Sequence, residues 1–171
     1  MVASEKDGIA SKPLVRYSVS VTTGDRRGAG TDANVYIQVY GKNNKTKEIQ
    51  LDNPQNNFER AKTDVFGFES EDLGELTKLR VWHDNAGNET LPIIILTIFA
   101  GFGASWFLEK IVITNMDDNK ETFFLCGKWL AKDEDDKKIE RELPASDKDG
   151  QASLPLVTYT ISVVTGNAHC R

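Results

Sequence analysis

Cysteine is scarce in this chain: Cys126 and Cys170 are the two it has in 171 residues. Two thiols do not make the multi-bridge framework of a small secreted scaffold, and a reducing compartment is expected. Cys126 lies in the apolar run TFFLC and reads as a buried free thiol. A basic excess is missing too. Lys and Arg number 21 against 26 Asp and Glu, for a net charge of −5. That balance excludes the basic footprint that nucleic acid requires and argues against docking on anionic lipid by charge alone. The longest apolar stretch, TLPIIILTIFAGF at 90–102, has 13 residues, where a membrane-spanning helix needs about 20. Histidine is limited to His83 and His169, and no GxSxG elbow or activated-cysteine pattern accompanies them. No segment keeps a 3.6-residue apolar period, so no long helix is expected. Residues 1–13 are polar, lack the apolar core of a signal peptide and read as a linker.

What the chain does have is an echo. Residues 13–24 read PLVRYSVSVTTG and residues 155–166 read PLVTYTISVVTG, identical at eight of twelve positions with an offset of 142. Self-similarity at domain length signals a tandem array. The expectation is one complete module followed by the first strand of the next. A repeated binding unit accounts for that pattern better than a self-contained enzyme.

The remainder alternates. At 14–23, Tyr17, Val19 and Val21 share one face with polar residues opposite, as in a half-buried strand. A glycine-rich loop, GDRRGAGT, follows at 24–31. Further strands are predicted at 33–40, 45–51, 63–68, 76–82 and 107–114. Residues 116–120 read as a turn from which 121–126 folds back as a hairpin. Residues 131–155 are charged, then rich in Ser, Asp, Gly and Pro, the composition of an interdomain linker. Many short strands separated by turn signals indicate an all-β sandwich. Its candidate core is Tyr17, Val19, Val21, Val35, Ile37, Val39, Phe66, Phe68, Leu79, Val81, Phe107, Leu108, Ile111, Ile113 and Phe123.

Several motifs arrive together and in order. They are TGDRRGAGTDANVYIQVY at 23–40, LDNPQNNFERAKTDVF at 51–66, LGELTKLRVWHDNAG at 73–87, WFLEKIVITNM at 106–116 and FFLCGKWLAKDEDD at 123–136. On these motifs the chain resembles PLAT domains, also called lipoxygenase homology domains. The resemblance implies an antiparallel eight-stranded β-sandwich over 14–143, a linker at 144–154, and an orphan first strand of a second copy at 155–171. It implies a non-catalytic module that binds membrane lipid or a membrane-associated protein, in some members with calcium. It implies neither lipoxygenase activity nor iron, because in lipoxygenases a separate helical domain carries that chemistry. Members built as strings of such domains include one of hair-cell stereocilia. Likeness to it implies neighbouring repeats as partners, a cytoplasmic place at the inner face of the plasma membrane, and a role in hearing.

Calcium takes six to eight oxygens at one site. The loop at 28–32 offers glycine carbonyls, the Thr31 hydroxyl and the Asp32 carboxylate, and Asp52 with Asn53 offers a carboxylate and an amide oxygen. In calcium-binding PLAT relatives these two loops, with backbone oxygens just before the WF motif, hold the ion. Carried over by position, the resemblance implies Gly28, Gly30, Thr31, Asp32, Asp52, Asn53 and Ser105. Some relatives carry an acidic residue where this chain has Gly28 and Ala104, so weak affinity is expected, at roughly 10⁻⁴ M or weaker. The alternative is loop architecture alone, with Asp32 and Asn53 satisfying backbone donors in tight turns. Trp106, beside the same loops, is the candidate membrane or partner contact. Core packing is the competing role for Trp82, Trp106 and Trp129 alike. His83 with Asp84 reads as a strand-ending turn, since neighbours on a strand face opposite ways. The acidic run 133–136 reads as a solvated segment balanced by Lys137, Lys138 and Arg141.

The insert at 90–102 departs from the PLAT pattern. A membrane-dipping loop, a buried extra strand and translated intron sequence all remain open for it. Three functions remain open as well. One is a membrane-proximal scaffold helped by calcium; another is a protein-interaction module without lipid or calcium; the last is the regulatory domain of a lipoxygenase or lipase.

Overall fold

A computed structural model describes residues 13–86 and 104–152. Eight strands follow in chain order: β1 Leu14–Thr23, β2 Val35–Gly41, β3 Ile49–Gln50, β4 Thr63–Glu71, β5 Leu76–His83, β6 Trp106–Asn115, β7 Lys120–Leu130 and β8 Glu140–Pro144. They form two four-stranded sheets, β4-β1-β6-β7 and β3-β2-β5-β8. All pairings are antiparallel. The inner faces meet in one core. Val19, Val21, Ile37, Val39, Leu79, Val81, Ile111 and Ile113 are fully buried there. Each such aliphatic side chain contributes about 1.5–3 kcal/mol by leaving water, and their two-residue spacing is what makes these segments strands.

Because the strands alternate in direction, the connections sort to two ends. The loops at 24–34, 51–62 and 131–139 gather at one, here the loop end, and the described flanks Ala86 and Ala104 lie there too. The turns at 42–48, 72–75 and 116–119 form the other, the hairpin end. The β6–β7 turn is set by short side chains capping backbone amides: Asn115 Oδ1 accepts from Asp117 N and Asp118 Oδ1 from Lys120 N, both at 2.9 Å. Asn119 supplies the positive φ of 57° that closes it.

The structure corrects the sequence reading at three places. The composition of 131–155 reads as linker, but 140–144 form β8, paired with β5 from Trp82↔Glu140 to Lys78↔Pro144, in keeping with a sandwich that the family resemblance carries to 143. The chain stays attached beyond it. Ala145 N donates to Thr77 O, and Ser146 exchanges two backbone hydrogen bonds with Phe123 of β7, at 3.1 and 2.8 Å. In β7 the buried aromatic is Phe124, whereas Phe123 is half-buried on the outer side. Trp106 is a core residue, as described below. The insert at 90–102 and the echo at 155–171 lie outside the described residues.

Candidate functional site

At the loop end, Gly24 N donates to Phe107 O and Phe107 N to Ala29 O, so the 24–30 loop is laced to the start of β6. The 51–62 loop presses against it. Thr31 N donates to Phe58 O at 3.2 Å, and a Cβ on Gly30 would meet that same oxygen at 3.1 Å. Phe58 has a positive φ of 60°. Its ring packs on Phe66 at 5.6 Å and edge-on to Trp106 at 5.4 Å. Its amide donates to Asp64 Oδ2 at 2.7 Å. Asp64 is buried, and Lys62 Nζ sits 2.8 Å from its other oxygen.

Between the two loops lies a recess of about 180 Å³, lined among others by Thr31, Asp32, Asp52, Asn56 and Asn57. Asp32 and Asp52 are exposed. Neither carboxylate is drawn into a hydrogen bond or ion pair with another described residue. Asn57 Oδ1 is buried without a hydrogen-bond partner among the described residues. Sequence reasoning missed Asn57, because nothing in NPQNNF distinguishes it from its neighbours until the loop is folded.

The other candidates are placed as follows. Thr31 is buried; its hydroxyl donates to Ala104 O at 3.0 Å and accepts from Ala33 N at 3.1 Å, so it clamps the loop to the start of β6. Gly28 is exposed with a φ of +74° and does not line the recess; Gly30 lies behind it against Phe58 and Arg60. The Asn53 amide closes a turn, with Oδ1 accepting from Gln55 N at 2.9 Å. Ser105 Oγ donates to Asp133 Oδ1 at 3.2 Å, away from the recess. The structure therefore brings Thr31, Asp32 and Asp52 together around the recess, and does not bring Gly28, Gly30, Asn53 or Ser105 to its wall. Among the described residues no group of three or more His, Cys, Asp or Glu is placed to hold a metal ion.

Trp106 cannot serve as a membrane contact. It is 0% exposed, and its Nε1 donates to Thr23 Oγ1 at 3.0 Å inside the sandwich. The loop end offers both signs of charge outward: Asp25, Asp32, Asp52 and Glu59 are exposed, and so are Arg26 and Arg27. Arg26 lies with its guanidinium 4.2 Å from the Phe107 ring centroid, and Arg27 beside it is exposed. The glycine-rich loop announced its turns in the sequence, but not that its two arginines face out.

His83 is buried at the end of β5. The Asn85 amide donates to its Nδ1 at 3.1 Å, which leaves Nε2–H to donate to Leu130 O at 2.9 Å. Burial lowers its pKa, against a smaller raising effect of the Leu130 carbonyl, so the ring is held neutral and structural. Burial also works against the charged form of Asp84. Hydrogen bonds from Asn34 and Ala86 outweigh it and hold the carboxyl below its usual range. Cys126 is half-buried, and burial pushes its thiol pKa up, the opposite of a reactive cysteine. The acidic run is wired into its loop. Asp135 Oδ2 accepts from Trp129 N, and Asp136 takes both Arg141 terminal nitrogens at 3.0 and 2.6 Å.

Comparison with known proteins places this geometry. The profile of the PLAT/LH2 domain matches residues 17–143. Lipoxygenase homology domain-containing protein 1 of Homo sapiens is 42% identical over 89% of this chain, and that of Mus musculus 38% over the same share. Polycystin-1-like protein 3 of Homo sapiens is 35% identical over 73% of the chain. The chain spans about 6% of the length of each of these relatives. Among solved structures, coral 8R-lipoxygenase, described as calcium-activated via a C2-like domain, superposes with a TM-score of 0.60 at 24% identity, over 76% of this chain and 17% of that one. A calcium-dependent 11R-lipoxygenase gives 0.52 at 25% identity, over 77% and 17%.

Proposed function

This chain belongs to the PLAT/LH2 domain family, and on that premise we propose that it is a non-catalytic module of a tandem array whose loop end docks on an anionic membrane surface with the help of weakly held calcium. The observation that carries the reading is the recess lined by Asp32, Asp52 and Asn57, whose buried Oδ1 has no hydrogen-bond partner among the described residues. Two carboxylates and an amide oxygen are hard donors suited to calcium. So small a charge fits low affinity, with carbonyl oxygens and water completing the shell. A bound divalent cation neutralises the two aspartates and lets anionic head groups approach. Arg26 and Arg27 add positive charge on the same side. The calcium dependence stated for the 11R-lipoxygenase supports this use of the fold. A place at the cytoplasmic face of the plasma membrane, in the stereocilia of hearing, is part of the proposal and rests on the likeness to array-forming members alone.

The test is co-sedimentation of the full chain with vesicles of phosphatidylcholine and phosphatidylserine. Pelleting that rises with calcium and is lost in an Arg26→Gln, Arg27→Gln variant supports the reading; no pelleting in either condition removes it. The outcome without pelleting favours a second reading, a protein-interaction module. One observation favours that alternative: Val65 and Leu125, on the outer face of the β4-β1-β6-β7 sheet, are 58% and 44% exposed.

A further inference from the structure

The points where the chain arrives and leaves are close together. Pro13 and Leu14 share a recess at the hairpin end with Leu76, Lys120 and Thr122. After β8 the chain returns to the next residues along. Ala145 N donates to Thr77 O, and Ser146 pairs with Phe123. A turn then follows in which Asp147 N donates to Gln151 O at 3.0 Å, and Ser146 bridges Ala152. Arrival and departure are therefore both at the hairpin end, and the recess of Asp32 and Asp52 is at the other.

The echo fixes what comes next. Its first residue, Pro155, follows Ala152 by three steps, which span at most about 11 Å. The ten residues of β1, at about 3.3 Å each, make the sandwich about 33 Å long. The connection cannot reach the loop end of the module it leaves. Pro155 also corresponds to Pro13, so it begins its own module at that module's hairpin end.

We propose that successive repeats are joined hairpin end to hairpin end, so that the junctions form a common spine and every loop end projects from it unencumbered. The inference rests on the tandem reading of the echo. A head-to-tail string, in which each loop end is covered by the next module, is excluded by the length of the connection. The partner such a spine fits is the anionic membrane surface of the reading above, touched by several loop ends at once. Linked sites of that kind gain about 10²–10⁴-fold in avidity over one site when geometry lets them engage together.

The correspondence of Gly24 with Gly166 supplies the test protein: residues 25–152 placed after Gly166 give a two-module chain in which each module keeps its own first strand. With Cys126→Ser in both modules, spin labels are introduced as Lys120→Cys in both, as Gln55→Cys in both, or as Gln55→Cys in the first with Lys120→Cys in the second, and distances are measured by double electron–electron resonance. The proposal predicts that the Lys120 pair is closer than the Gln55 pair. It is overturned if the shortest distance runs from Gln55 of the first module to Lys120 of the second, or if the Gln55 pair is the closer. Calorimetry separates the premise: a second half that does not fold, seen as an unfolding enthalpy no larger than that of one module, overturns the tandem reading itself.

Discussion

Phe58 is an aromatic residue with a φ of 60°, a conformation that costs an L-residue about 1–2 kcal/mol. It is kept there by the Asp64 carboxylate on its amide, by Thr31 on its carbonyl and by the Phe66 and Trp106 rings. Asp64→Ala leaves that buried amide unpaired, and urea unfolding should show a loss of about 1–3 kcal/mol. Trp106→Phe should cost about 1 kcal/mol through the lost Thr23 hydrogen bond while vesicle binding is unchanged, because the ring never meets the surface. His83 gives a pH dependence. Its folded pKa is lowered, so the unfolded chain takes the proton first as pH falls below about 6.5. The unfolded state then binds more protons, and stability declines with falling pH from there. Urea midpoints at pH 7.5 and 5.5 should differ in the wild type and differ less in His83→Asn. The roles of Asp64 and Asn57 were not legible in the sequence, because they depend on which backbone groups two distant loops leave unpaired. Asp32 and Asp52 were brought to one site by the family resemblance, whereas residue type alone left Asp32 open to a role within its own turn.

At the scale of elements, alternation was enough for β1, β2, β5 and β6, where Val19 and Val21, Val35, Ile37 and Val39, Leu79 and Val81, and Ile111 and Ile113 are buried at every second position. It failed where the pattern is short or doubled. In β8 only Leu143 is buried, so five residues of a solvent-facing edge strand resemble a charged linker. The edge is blunted by its shortness and by Pro144, which lacks the amide another strand would pair with. In β7 two adjacent phenylalanines satisfy either phase, and the register with β6 sets Phe124 opposite the buried Ile111 and Phe123 opposite the outer Val112. If β8 is integral, Leu143→Ala should cost about 2–4 kcal/mol; an effect near zero would return 140–144 to the linker. Gly41→Ala should be comparably harmful, since a Cβ there overlaps the Leu73 carbonyl oxygen where the 42–48 and 72–75 turns interlock.

At the scale of the molecule, the two outer faces differ. The β3-β2-β5-β8 face is closed by its own charges: Arg80 bonds Glu140 through two nitrogens and reaches Glu48, Lys78 meets Glu142, and Trp82 stacks on Tyr36 beneath Arg80. Across the other face, Ser20 is flanked by Val65 and Val112, and Val112 by Phe123. The loop end gathers Asp32 and Asp52 around one recess, and two exposed arginines stand on the neighbouring turn of the same loop. That arrangement is what the account makes functional, and calcium linkage tests it most directly. A Kd near 10⁻⁴ M and 1 mM calcium stabilise the folded chain by about 1.4 kcal/mol, a rise in Tm of about 3–6 °C. That rise is expected for the full chain, with its loss in the Asp32→Asn, Asp52→Asn double variant; an equal rise in both, or none in the wild type, would contradict calcium binding at this recess.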